Sequence, residues 1–329
     1  MTLPKVLVVS LGGTITMTKG AGGGIAPTLD ASDLVAAAPE LVARAEIDTA
    51  APLRLPGANL TLNMLTEVVS MIDERLAWDC DGAVVVQGTD TIEETAWILD
   101  CLIRSHKPVV VTGAMRGADA PSADGPANIL SAVTVAASKK ARGLGCLVVL
   151  NDEIHAARYV QKTHTVLPDT FMSAGTGRLG LVAESQPFFF SRIDRLPPIQ
   201  PSSPFDVRVA LLTVGLGDDG RLLHAIPSLG YEGLVIAGMG VGHVPAVLVP
   251  EIEKIAKDIP VVLATRIPAG PSLKSTYGFP GSERDLLSRG LWSGGRLSAL
   301  KARLTLEMLL ASEPERMRVK DRFAIYADL

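Results

Sequence analysis

Several things are missing from this 329-residue chain, and each absence removes a class of protein. No apolar run reaches the roughly 18 residues that a membrane span requires, so no membrane partner is expected. Cysteine occurs three times, as Cys80, Cys101 and Cys146, widely spaced and outside any CxxC pattern. Neither a disulfide framework nor a thiolate metal site follows from that, and buried free thiols are expected. Basic clusters are also scarce. The densest, "KKAR" at 139–142, reads as a complement to a helix dipole, and a formal charge of −4 lacks the footprint of a nucleic-acid binder. The opening "MTLPKVLVVS" has too short an apolar stretch and no cleavage site for a signal peptide, which points to a cytoplasmic protein. The five histidines show no metal spacing, and no GxSxG elbow or GK[ST] phosphate loop occurs. "GTGRLG" at 175–180 matches a dinucleotide fingerprint but does not open a helix after a strand. No metal and no cofactor are expected.

What the chain does have is repeated alternation. Short Val/Leu runs ("KVLVVSL", "GAVVVQG", "PVVVTGA", "GCLVVLN") alternate with amphipathic segments, the signature of an α/β domain whose parallel sheet is covered on both faces. Thr61 stands before an apolar helical period of Leu62, Leu65, Val69, Ile72 and Leu76, and Asp90 or Thr91 with Glu93 or Glu94 three residues later reads as a capping box. A proline-rich stretch then interrupts the pattern. We take residues 1–190 as the N-terminal catalytic domain, 191–206 as a linker and 207–329 as a smaller C-terminal α/β domain. Residues 19–28, "KGAGGGIAPT", read as a glycine-rich lid loop.

Two strands end in a glycine followed by a threonine: "VVSLGG" before Thr14 and "AVVVQG" before Thr89. Ligands of open parallel sheets bind beyond the carboxyl ends of the strands, so adjacent strands would place both hydroxyls in one crevice. A hydroxyl is a weak nucleophile at neutral pH unless a base takes its proton, and Lys162 could serve once desolvated. Asp90 follows Thr89 at a helix start. Local pattern leaves plainer alternatives open: Thr89 and Asp90 as helix caps, Thr14 as a turn residue, Lys162 as a solvated loop charge.

The phrases "SLGGTIT", "QGTDTIEETAW", "PVVVTGAMR", "SADGPANI" and "NDEIHAARYVQKTHT", in this order and spacing, resemble the bacterial L-asparaginase/glutaminase family. "TYGFPGSE" and "GGRLSALKARLTLEMLL" extend the resemblance through the C-terminal region. It implies a two-domain asparaginase/glutaminase-like α/β fold, with a larger N-terminal parallel-sheet domain and a smaller C-terminal one. It further implies a homotetramer made of intimate dimers, and hydrolysis of the side-chain amide of L-asparagine through an acyl-enzyme. By the same resemblance Thr14 is the nucleophile, with Thr89, Asp90 and Lys162 as the second catalytic group. Gly13 and Thr89 supply oxyanion-hole amides, and Gly57, Ala58, Asn59, Gly88, Asp90 and Ala114 hold the substrate.

The chain departs from the family's pattern in four places. No tyrosine occurs in residues 15–30, where the family carries one that assists the nucleophile, and the partner-subunit glutamate has no counterpart near "PAGPSLKSTYGF". His243 occupies a position where relatives carry an asparagine facing the neighbouring subunit. The substrate-carboxylate loop, which usually reads Ser, then Gln or a small residue, then Asp, is here Gly57, Ala58 and Asn59. Each lost buried polar contact to substrate is worth about 1–3 kcal/mol. Alternatives to asparagine hydrolysis are therefore the same chemistry on a different small carboxamide, and a non-catalytic amino-acid sensor.

Overall fold

The computed structural model describes residues 2–13, 17–19, 25–27, 38–200 and 204–328. Thr14 and most of the glycine-rich stretch expected as a lid lie outside the described residues. The chain divides into two compact units, Met1–Pro198 and Ile199–Leu329.

The first unit is built on an eight-stranded sheet. Its parallel half contains β1 (Lys5–Ser10), β4 (Glu46–Ala50), β5 (Gly82–Val86), β6 (Val109–Thr112) and β7 (Cys146–Leu150), in the spatial order β7-β6-β5-β1-β4. Two short strands, β2 (Met17–Lys19) and β3 (Ile25–Pro27), pair antiparallel outside it. Every residue of β5, β6 and β7 is buried, which requires cover on both faces and explains the unbroken Val/Leu runs. Helix α1 (Leu62–Trp78) starts where expected: the Thr61 hydroxyl accepts the Met64 amide at 3.3 Å, and Leu65, Val69, Ile72 and Leu76 are buried. Helices α2 (Ile92–Leu102) and α3 (Gly125–Ala136) follow β5 and β6. The α3 side chains Ile129, Ala132, Val133 and Ala136 share one core with Val84, Val86, Val110 and Leu147.

The sheet is mixed rather than parallel throughout. Beyond β7 lie β8 (Glu153–Ala156), β11 (Gly180–Ala183) and β12 (Gln186–Phe189), each antiparallel to its neighbour. The cause is two tight hairpins. Asn151 and Asp152, at φ of 52° and 59°, join β7 to β8, and Glu184 and Ser185, at 48° and 61°, join β11 to β12. Positive φ at both central residues is what a two-residue hairpin of the right-handed twist requires. A smaller antiparallel pair, β9 (Gln161–Lys162) and β10 (Phe171–Met172), stands apart from the main sheet. The basic run at 139–142 does not end a helix: α3 stops at Ala136, and Lys139–Ala141 form a separate 3₁₀ turn.

The three cysteines are free and buried. His155 is a core histidine, its Nδ1 2.9 Å from Ser173 Oγ and its Nε2 3.2 Å from Glu153 Oε2. Burial pushes its pKa down, with Glu153 opposing.

The second unit carries a four-stranded parallel sheet, β13 (Val209–Thr213), β14 (Gly233–Gly238), β15 (Val261–Thr265) and β16 (Trp292–Ser293) in that order. Helices α4 (Arg221–Ala225), α5 (Val249–Asp258), α6 (Glu283–Ser288), α7 (Ala299–Ser312) and α8 (Arg316–Ala327) complete it. Among the described residues no helix is long and apolar enough to cross a membrane. His243 does not stand alone here. Its Nε2 lies 3.2 Å from the carboxylate of the fully buried Glu283, and Tyr277 and Phe279 meet its ring edge-on at 4.9 Å each. Burial works against the Glu283 charge, yet the Tyr277 and Thr276 amides, each at 2.7 Å, and His243 outweigh it and hold the carboxyl below its ordinary value.

A depressed folded-state pKa gives stability that is present above the unfolded value of about 4.5 and is lost as pH falls through the folded one. Glu283→Gln, which keeps an acceptor for the two amides but removes the charge, should lower stability at pH 7 by about 1 kcal/mol. The difference from the native chain should shrink below pH 4. Chemical denaturation at pH 7 and pH 3.5 checks this, and an equal loss at both would refute the assignment to charge.

Candidate active site

Strands β1 and β5 pair directly and in parallel, Ser10 opposite Val86, so "SLGG" and "QGTD" emerge side by side from the same edge of the sheet. At this exit the two backbones all but touch. Gly12 and Gly13 have φ of 104° and 95°, and a Cβ on Gly13 would stand 1.9 Å from the amide nitrogen of Gly88. Only glycine satisfies both the left-handed conformation and the approach. The Leu55 amide bonds the Leu11 carbonyl at 3.0 Å, drawing residues 55–59 in beside the same two strand ends.

Thr89 begins a 3₁₀ turn, Thr89–Thr91, that leads into α2. Its side chain is buried, and Lys162 Nζ donates to its Oγ1 at 2.9 Å. The same Nζ lies 3.5 Å from Asp90 Oδ1. Lys162 is therefore no solvated loop charge: its side chain is 18% exposed, whereas that of Asp90 is 66% exposed. The β9–β10 hairpin presents it, with Lys162 opposite Phe171 and the Thr163 amide bonded to the Thr170 carbonyl at 2.8 Å. Lys162 and Thr89, 73 positions apart in sequence, thus meet with Asp90 to put an amine, a hydroxyl and a carboxylate at one place.

Gly57 is buried in the turn Gly57–Asn59, and its Cβ position lies 3.1 Å from both the Gly88 carbonyl and the Thr91 hydroxyl. Ala58 and Asn59 are exposed on that turn. Ala114 is buried one residue beyond Gly113, whose own Cβ position lies 3.4 Å from the Thr89 methyl. The structure therefore gathers Gly13, Gly57, Gly88, Thr89, Asp90 and Lys162 at one end of the sheet, with Ala114 on the adjoining loop. Thr14, which the resemblance makes the nucleophile, is outside the described residues, and Gly13 immediately precedes it.

Two supporting residues, Asp124 and Asn128, escaped the sequence reading, and a third, Thr91, figures there only as a helix cap. The Asp124 carboxylate accepts the Met115 and Arg116 amides at 3.0 and 2.9 Å, and Asn128 Nδ2 donates to the Gly113 carbonyl at 2.9 Å, so together they fix the loop of Ala114. The Thr91 hydroxyl donates to the Gly57 carbonyl at 3.1 Å. Their only sequence signal is position: Asp124 and Thr91 are the N-cap residues of α3 and α2, and neither side chain caps its helix.

Comparison with known proteins agrees with this arrangement. Residues 5–195 match the model of the N-terminal asparaginase domain, and residues 208–323 match that of the glutaminase/asparaginase C-terminal domain. An L-asparaginase of Bacillus licheniformis is 34% identical over 97% of this chain and 98% of its own length. A probable L-asparaginase of Deinococcus radiodurans is 37% identical, covering 94% and 93%. The crystal structure of a probable cytoplasmic L-asparaginase from Campylobacter jejuni superposes with a TM-score of 0.84 at 29% identity, covering 98% and 99%. Fold, site and relatives define a two-domain α/β amidohydrolase. The chain belongs to the asparaginase/glutaminase family.

Proposed function

We propose that the protein hydrolyses the side-chain amide of L-asparagine to aspartate and ammonia. The observation that carries this reading is the Lys162–Thr89 contact of 2.9 Å, with Asp90 at 3.5 Å, at the carboxyl end of the strand beside the one leading to Thr14. Thr14 Oγ bonds to the amide carbon while its proton passes towards Lys162 through Thr89 or a water. The C–N bond then breaks, and the leaving nitrogen takes a proton and departs as ammonia. Water cleaves the resulting ester, releasing aspartate and restoring the Thr14 hydroxyl. The amides of Gly13 and Thr89 hold the oxyanion of each tetrahedral intermediate, and Asp90 binds the substrate's amino group. Gly57, Ala58, Asn59, Gly88 and Ala114 line the rest of the pocket.

Ammonia release from asparagine, followed with a coupled dehydrogenase, tests the reading; no turnover at millimolar substrate would refute it. A second reading, the same chemistry on another small carboxamide, is favoured by the turn Gly57–Asn59, which has no hydroxyl and offers only the exposed Asn59 amide as a side-chain polar group. An amide panel separates the two. Two further proposals accompany the function: a homotetramer of intimate dimers, tested by light scattering, and a cytoplasmic location, tested by cell fractionation.

A further inference from the structure

Thr91 stands at the N-cap of α2 with Glu94 three residues on, yet makes no capping bond. An N-cap hydroxyl ordinarily accepts an amide of the first turn, a contact worth about 1 kcal/mol. Here the hydroxyl bonds the Gly57 carbonyl, 34 residues away in sequence. What turns it outward is Gln87. Its Nε2 donates to both the Gly88 carbonyl and Thr91 Oγ1, each at 3.2 Å. With one lone pair of Oγ1 already accepting, the hydroxyl hydrogen points to the remaining acceptor, Gly57 O. The Gln87 amide cannot turn over, since that would set its oxygen against the Gly88 carbonyl. Gln87 is 1% exposed, and its Oε1 meets no donor among the described residues.

We propose that Thr91 is a positioning residue: its hydroxyl, aimed by Gln87, fixes the Gly57–Asn59 turn against the Thr89–Asp90 turn and so sets substrate affinity. The inference rests on the proposed function for its kinetic consequence but not for its structural one. Two backbone bonds close the turn, Asn59 amide to Pro56 carbonyl at 2.9 Å and Leu60 amide to Gly57 carbonyl at 3.2 Å, and the second shares its acceptor with Thr91. Removing the hydroxyl leaves the Gly57 carbonyl held by the Leu60 amide alone, which loosens the turn. Gly57 itself leaves no slack, because its Cβ position is 3.1 Å from Thr91 Oγ1 and from the Gly88 carbonyl.

The test compares Thr91→Val, of equal size without the hydroxyl, with Thr91→Ser, which keeps it. Thr91→Val should raise KM for asparagine about tenfold while kcat changes less than threefold, and Thr91→Ser should match the native enzyme. Independently of any substrate, hydrogen exchange over residues 56–60 should quicken about tenfold in Thr91→Val, with exchange through α2 unchanged. Faster exchange confined to α2 would make Thr91 an ordinary cap and overturn the proposal, as would equal behaviour of the two variants. If the native protein releases no ammonia from asparagine, the proposed function fails while the exchange result still decides the role of Thr91.

Discussion

Lys162→Met is expected to lower ammonia release from saturating asparagine by a factor of about 10²–10⁴, the range that a positioned proton-transfer group supplies. Methionine keeps the unbranched stem and removes the amine, so both the 2.9 Å bond to Thr89 and the 3.5 Å pairing with Asp90 go. The fold should tolerate this. The hairpin that carries the residue is closed by main-chain bonds, including Thr163 to Thr170, that do not involve the amine. The thermal midpoint should therefore stay within a few degrees of the native one. Thr89→Val should cost a comparable factor, and the double variant far less than the product of the two, because groups that act as one unit are strongly non-additive. Initial rates on the three variants decide the matter. More than a tenth of native activity in Lys162→Met would remove the lysine from the proton path.

Gly13→Ala should damage stability and turnover together. The new methyl would sit 1.9 Å from the Gly88 nitrogen and 2.2 Å from its α-carbon, atoms of the backbone that cannot rotate aside. The left-handed conformation at φ 95° adds about 1–2 kcal/mol, and overpacking typically adds about 1–3 kcal/mol more. Relief requires the exits of β1 and β5 to separate, which displaces Thr89 from whatever follows Gly13. A shift of about 1 Å at a reacting group costs about 10²-fold in rate. Urea unfolding and initial rates should both register the change. Gly117→Ala is the control: that glycine is half-buried but has open space where its Cβ would stand, and both measurements should be unaffected. A stable, active Gly13→Ala would show that the two strand ends are less tightly apposed than the geometry requires.

Most of the frame was legible because burial writes itself into composition. The Val runs of β1, β5, β6 and β7 are continuous since both faces of those strands are covered, and Thr61 caps α1 as its position predicts. The antiparallel half of the first sheet was not legible. The turn at Glu184–Ser185 takes positive φ without the glycine or asparagine that usually signals it, so nothing in "VAESQP" announces a hairpin. At the site, the alternation of strands and glycines located Gly13, Gly88 and Thr89. Lys162, by contrast, looks like a loop charge until the fold delivers Thr89 to it. Thr91 and Asp124 mislead for a related reason. Both satisfy the local rule for helix starts, and both spend their oxygen atoms on distant loops, Gly57 for one and Met115 with Arg116 for the other. A local rule cannot see a partner that only tertiary structure brings within reach.

The β9–β10 pair has a mechanical consequence. Among the described residues, its two strands bond to each other and to no strand of the eight-stranded sheet. The amine is thus mounted on an outrigger instead of the keel: lengthening or stiffening the exposed segment 163–167, which His164 holds by accepting the Val166 and Leu167 amides at 3.1 Å each, should shift the lysine relative to Thr89 while leaving the ladders of the core in place. Reactivity in such a scaffold is adjustable from its rim, at little expense to the durability of the whole.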